Sequence, residues 1–230
     1  MNDGAELLTI DVGASRRVSG LLLAPPDARA CYVLAHGAGA GMRHAFLAAL
    51  SHALTARGIA TLRYQFPYME SGSKRPDPPA IAHATVRAAL AEAARRCPAM
   101  PLVAGGKSFG GRMTSQAQAL EPLPSVRGIA FVGFPLHLAG KPSGERARHL
   151  DDVRIPMLFL QGTRDDLADP ALLRPIVARL GERARLVEFD DADHSFHVRA
   201  RSGRTDAEVL DGIAEALNAW VDEAILHRGA

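Results

Sequence analysis

No stretch of this 230-residue sequence approaches the roughly 20 consecutive apolar residues that a helix needs to cross a bilayer. The opening segment, Met1 to Glu6, lacks the basic start and apolar run of a secretion signal. Cysteine is scarce: Cys31 and Cys97 have no metal-ligand spacing and make no disulfide framework, so a reducing cytoplasm is the expected setting. An excess of one charge is missing too. The 27 basic and 25 acidic residues leave a net charge of +2 spread along the chain, too weak a field to gather nucleic acid or an anionic membrane. Neither is expected as a partner. The densest basic patch, Arg199, Arg201 and Arg204, reads as a solvated loop. Internal repeats, low-complexity tracts and Gly/Ser linkers are also lacking, so residues 1–230 are read as one domain, long enough for a full core.

Within that domain, short apolar runs alternate with longer segments of helical periodicity, the pattern of a mostly parallel sheet covered by helices. Glu6–Val12 and Arg17–Ala24 read as an antiparallel start, since little more than a turn separates them. Cys31–Ala35, Ile59–Tyr64, Pro101–Gly105, Val126–Val132, Pro156–Gln161 and Arg185–Phe189 follow as strands. Helices are expected over Arg43–Arg57, Ile81–Arg96, Ser108–Leu120, from Asp169-Pro170 to Gly181, and after Thr205. Asp169 is placed to cap its helix, with proline at the first helical position. Thr205 and Glu208 have the spacing of a capping box, ahead of a buried stripe of Leu210, Ile213, Leu217, Trp220 and Ala224. The right-handed crossover rule makes an open, doubly wound α/β sheet with helices on both faces the expected architecture. Reactive groups in such sheets gather in loops at the carboxyl ends of strands.

Gly106-Lys107-Ser108-Phe109-Gly110 falls between an expected strand and helix. A G-x-S-x-G turn in that position strains its serine and lifts the hydroxyl above the sheet as a nucleophile, and the helix start favours negative charge beside it. A phosphate cradle is the competing reading of Gly106-Lys107-Ser108. That motif needs a glycine at position 101, where Pro101 stands, and the strand leaves no room for the cradle. A serine hydroxyl needs a base, and the base needs an orienting carboxylate. Asp165, after the strand ending at Gln161, is the expected acid, with Asp166 the alternative. His194, in the Asp190–His197 segment after the last strand, is the expected base, with His197 its rival. The Phe109 amide and the Ala38 amide, the latter in the small-residue loop His36–Gly41, are the expected oxyanion donors. This chemistry requires no cofactor and no metal.

With these residues placed, the chain resembles the α/β-hydrolase superfamily over nearly its whole length, through His36 and Gly37, the turn Gly106, Ser108 and Gly110, Asp165 and His194. More narrowly it resembles small, lidless proteins related to dienelactone hydrolase, a group that includes the hydrolase-like domain of a chromatin acetyltransferase complex subunit. The segments HGAGAGM (36–42), FPYMESG (66–72), GGKSFGGRM (105–113), FPLHLAGKP (134–142) and DADHSF (191–196) carry that likeness. The resemblance implies a serine hydrolase of carboxylesterase type acting on a small ester-like molecule; the alternative is a non-catalytic binding or scaffold module. Dienelactone hydrolase uses a cysteine where this chain has Ser108, so its substrate is not carried over. The span from Phe134 to Ile155 is too short for a large cap domain, which leaves an open site. Tyr68, Met69, Phe134 and His137 are the expected walls of its pocket.

Overall fold

The protein is described from a computed structural model covering residues 4–13 and 15–226. Eight strands form one sheet: β1 (Glu6–Val12), β2 (Arg16–Leu23), β3 (Ala30–Ala35), β4 (Ile59–Tyr64), β5 (Leu102–Lys107), β6 (Val126–Val132), β7 (Met157–Gly162) and β8 (Ala184–Phe189). Their spatial order is β1-β2-β4-β3-β5-β6-β7-β8. β2 pairs antiparallel with β1 and β4, and every other pairing is parallel. The burial of β1 alternates, with Leu8, Ile10 and Val12 inward, as suits an edge strand covered on one face. Every residue of β3 is buried, because helices cover both faces there.

One face is closed by α1 (Ala45–Thr55) and α6 (Asp206–Trp220), which bury Leu47, Leu50, Leu54, Ile213, Leu217 and Trp220 against the sheet. On the other face lie α3 (Pro79–Arg96) and α4 (Phe109–Leu120), packed through Val86, Leu90, Met113 and Ala117. A third cluster joins α5 (Pro170–Leu180) and a 3-10 segment (Glu145–Asp152) to β6 and β7.

The expected elements are all present, with shifted edges. The helix expected over Arg43–Arg57 narrows to α1, because the His44 ring accepts from the Phe46 amide and caps the helix there. The Pro-rich segment after Phe66 holds one turn of helix, α2 (Pro67–Glu70), anchored where Glu70 accepts from the Ser19 amide and hydroxyl. The buried stripe of α6 starts at Val209 rather than Leu210, which is half-buried, and ends at Ile225 rather than Ala224 in a wider turn over Val221–Leu226. Asp169 and the Thr205–Glu208 box cap their helices as expected.

The chain leaves β3 toward β4 on one side and leaves β5 toward β6 on the other, so the direction of winding reverses between β3 and β5. The crevice above such a reversal is where open α/β sheets bind ligands. The loops after β3 and β5 both open into it.

Candidate active site

Ser108 occupies the single position between the last residue of β5 and the first of α4, with φ 50° and ψ −116°. A non-glycine residue in this region stores strain on the order of 1–3 kcal/mol, which persists only where its surroundings hold it. Here the Ser108 amide donates to the Val132 carbonyl at 3.1 Å, and its carbonyl accepts from the Arg112 amide at 3.1 Å. The flanking glycines let the turn close. A Cβ on Gly106, where φ is 149°, would stand 2.3 Å from the Ala35 carbonyl oxygen, and one on Gly110 would stand 2.6 Å from the His36 oxygen. Strand β3 and helix α4 therefore approach each other through hydrogen atoms alone.

His194 reaches this serine from the far side of the sheet. Its Nε2 lies 2.8 Å from Ser108 Oγ and its Nδ1 lies 2.7 Å from Asp165 Oδ2. A carboxylate only accepts, so Nδ1 carries the ring proton and Nε2 is free to accept from the serine hydroxyl. Asp165 is 4% exposed and takes further donors from the Leu167 amide at 2.8 Å and from Gln161 Nε2. Of the alternatives, Asp166 is exposed, and His197 is exposed and paired with Asp206, which raises its pKa. Neither touches Ser108. Asp169 is occupied as a helix cap, accepting from the Ala171 amide.

The loop after β3 is held by its own first residue. His36 is buried, donates from Nδ1 to the Gly37 carbonyl at 2.7 Å and accepts the Phe66 amide at Nε2 at 3.1 Å. Burial lowers its pKa to about 4, so it is a neutral clamp. Further along, the Gly39 amide donates to Tyr68 Oη and the Ala40 amide to the Gly37 carbonyl. Among the described residues, the Ala38 and Phe109 amides have no protein acceptor.

A cleft of about 320 Å³ opens beside Ser108 and His194, walled by Ala38, Ala40, Phe46, Leu47 and Leu167 with His44 and Ser195. Tyr68, Met69, Phe134 and His137, expected as pocket walls, do not border it. Tyr68 is buried among Phe66 and Phe109 and shapes the loop through its hydroxyl, while Met69 packs on the core. Phe134 is buried against Phe131 and Phe159. His137 accepts the Asp169 amide at Nε2 and donates from Nδ1 to the Leu138 carbonyl. A polar ring and a run of apolar residues near a strand end read equally well as wall or as core; packing decides. A larger open groove of about 870 Å³ lies beside Arg16, Tyr68 and Arg75, and none of Ser108, Asp165 and His194 borders it.

Two residues that shape the site carried no such signal in sequence. Gln161 is buried, and its amide bridges Asp165 to the Phe134 amide, which donates to Oε1 at 2.9 Å. Lys107, whose sequence context suggests phosphate binding, sends Nζ to the His194 carbonyl at 2.6 Å. Among the described residues, no cluster of three His, Cys, Asp or Glu side chains could hold a metal ion.

The pattern of a family described as "Alpha/beta hydrolase domain" matches residues 28–222. Among solved structures, dienelactone hydrolase from Anabaena variabilis superposes with a TM-score of 0.76 at 20% identity, over 96% of this chain and 97% of that one. An α/β serine hydrolase without a lid, from Xanthomonas campestris, gives 0.72 at 21% identity over 94% of each chain. Est1E from Butyrivibrio proteoclasticus, in a structure with bound ferulic acid, gives 0.73 at 16% identity over 95% and 99%. At these identities the likeness establishes the fold: a mostly parallel eight-stranded α/β-hydrolase sheet.

Proposed function

Because the chain belongs to the alpha/beta hydrolase family, we propose that it is a serine hydrolase that cleaves ester-like bonds in small molecules through Ser108, His194 and Asp165. The observation that carries this reading is the continuous hydrogen-bonded chain from Ser108 Oγ through His194 to buried Asp165. It stands next to the Ala38 and Phe109 amides, which among the described residues have no protein acceptor.

The proposed reaction uses each group once per half-cycle. Ser108 Oγ attacks the substrate carbonyl carbon as its proton passes to His194 Nε2. The charge that forms on the carbonyl oxygen is accepted by the Ala38 and Phe109 amides; losing one such donor typically raises the barrier by about 2.7–4 kcal/mol. His194 then gives the proton to the leaving oxygen, the C–O bond breaks and an acyl group remains on Ser108. Water, deprotonated by the same Nε2, attacks the acyl carbon; the bond from that carbon to Ser108 Oγ breaks, the acid leaves, and Nε2 returns the proton to Ser108 Oγ. Asp165 keeps Nδ1 protonated throughout and stabilises the imidazolium.

The apolar walls of the small cleft suit a short acyl or alkyl group or a single ring. Rates across p-nitrophenyl esters of increasing chain length test this. They are expected to fall beyond short chains, and a steep preference for long chains contradicts it. The scarcity of cysteine is what supports a reducing, cytoplasmic setting.

The decisive experiment compares fluorophosphonate labelling of the wild type with Ser108→Ala and His194→Ala. Stoichiometric labelling of the wild type, lost in Ser108→Ala and at least strongly slowed in His194→Ala, is expected. An unlabelled wild type overturns the enzyme reading in favour of a binding module. That alternative gives the strained Ser108 no purpose.

A further inference from the structure

His194 must come a long way to meet Ser108. Its loop leaves β8, and β8 stands three strands from β5 in the sheet, a span of roughly 14 Å at ordinary strand spacing. The base of the loop is tied to the end of β7. The Arg164 amide donates to the Ala192 carbonyl, the Asp191 amide donates to Thr163 Oγ1, and Gly162 lies so close that a Cβ there would stand 2.3 Å from the Ala192 oxygen. The interior is braced by Asp193, whose Oδ1 accepts the Ser195 and His197 amides. At the tip, among the described residues, only two hydrogen bonds join residues 190–197 to the serine turn. One is His194 Nε2 to Ser108 Oγ, which is broken and remade during the proposed reaction. The other is Lys107 Nζ to the His194 carbonyl, at 2.6 Å.

The side chain of Lys107 is built into the centre of the site. Its Cγ passes 3.6 Å from where a Gly37 Cβ would be, its Nζ sits 3.0 Å from the equivalent point on Gly133, and the ammonium lies 5.5 Å from the centre of the Phe196 ring. It therefore touches the oxyanion loop, the end of β6 and the histidine loop at once. An ionised donor to a carbonyl is roughly twice as strong as a neutral one, and an aromatic face adds to it.

We propose that Lys107 is a positioning residue, whose ammonium pins the His194 loop to the serine turn so that Nε2 stays within reach of Ser108 Oγ while the serine proton is in transit. This assignment deepens the serine-hydrolase reading and rests on it for its catalytic consequence, though not for its structural one.

The pin is titratable. Burial lowers the Lys107 pKa to about 8, partly opposed by the carboxylates of Asp165 and Asp193. Among the described residues, these two and the His194 ring are the titratable groups near it from the loops after β7 and β8; Gly37 and Gly133 face it from the loops after β3 and β6, and His36 beyond Gly37 is neutral. As pH rises through about 8 the ammonium becomes an amine and the clamp weakens.

The test uses Lys107→Met and Lys107→Arg in the full chain, with two readouts. For p-nitrophenyl acetate, Lys107→Met is expected to lower kcat about 10- to 100-fold, as small misplacements of catalytic groups do, with KM nearly unchanged. The wild-type kcat is expected to fall above about pH 8. Lys107→Arg, whose guanidinium does not titrate there, is expected to keep most of kcat and lose that fall. The second readout needs no turnover: the downfield proton resonance of His194 Nδ1, identified by its loss in His194→Gln. It is expected to be sharp in the wild type at pH 7, to broaden as pH rises through 8, and to be broad already at pH 7 in Lys107→Met. An unchanged resonance in folded Lys107→Met overturns the proposal whatever happens to the rate. Should Lys107→Met fail to fold, a wild-type resonance that stays sharp to pH 10 overturns it instead. If the wild type turns over no ester while the resonance follows Lys107, the pin stands and the enzyme reading fails.

Discussion

Asp165 accepts three hydrogen bonds at its buried carboxylate, and one of the donors, Gln161, uses its other end to hold the Phe134 amide. Leucine at 161 would fill similar space yet remove both contacts. An orphaned buried amide and a less supported carboxylate cost about 1–3 kcal/mol each. Gln161→Leu is therefore expected to lower the midpoint of urea unfolding and to reduce kcat more than it raises KM. A variant matching the wild type in both would show that Asp165 is held adequately without it. The contrast with Ser108, Asp165 and His194 is instructive. Those three follow from the chemistry a nucleophile demands and from their places just after strands. Gln161 and Lys107 act through what lies opposite them, and nothing in a linear sequence says what that is. Tyr68 and His137 misled for the same reason: their polar ends bond a loop amide and a helix cap rather than facing the cleft.

At the level of the element, local rules were sufficient to find nearly every strand and helix, because each depends on residues close in sequence. The Thr205–Glu208 box is a case: the Thr205 hydroxyl accepts the Glu208 amide and the Glu208 carboxylate accepts the Thr205 amide. Thr205→Ala is expected to cost about 1 kcal/mol, read by denaturant unfolding, with the proposed hydrolase activity unchanged. An unaltered midpoint would mean that α6 is held by packing alone. The serine turn, Gly106 to Gly110, behaves differently. Gly110→Ala would force its methyl against Ala35 and His36, and overpacking of that kind costs about 1–3 kcal/mol. Because α4 would have to move away from β3, the variant is expected to lose fluorophosphonate reactivity as well as stability. Full reactivity in a folded Gly110→Ala protein would show that the two elements can separate without harm. The short α2 turn carries no local signal, because its anchor, Glu70 on Ser19, joins residues 51 positions apart.

For the molecule as a whole, buried His36 and half-buried His149 add to the acid response. His36 and His149 both titrate near 4 rather than 6.5. Burial is the main cause for each, and at His149 the Arg112 and His83 charges add to it. The unfolded chain takes up these protons first, so their contribution to stability is complete above about pH 6.5 and is lost as pH falls toward 4. Urea unfolding is expected to show a lower midpoint at pH 5 than at pH 7.5, with a smaller difference in His149→Gln; equal differences in the two proteins would exclude His149 as a source. Lys107 works in the opposite window. Its pKa is lowered from 10.5 to about 8, so the unfolded chain binds the extra proton between those values and stability gains as pH rises across them. An alkaline fall in activity accompanied by rising Lys107-dependent stability would separate a loosened clamp from unfolding.

The sequence by itself determined the kind of architecture, the turn that bears Ser108 and the order in which serine, acid and histidine follow, since periodicity, capping and strand-end position are all local properties. The tertiary structure alone decided the strand order β1-β2-β4-β3-β5-β6-β7-β8, the bracing of Asp165 by Gln161 and of the His194 loop by Lys107, and the walls of the cleft. Those depend chiefly on contacts between segments tens of residues apart, whose partners are fixed only when the whole core closes around the sheet.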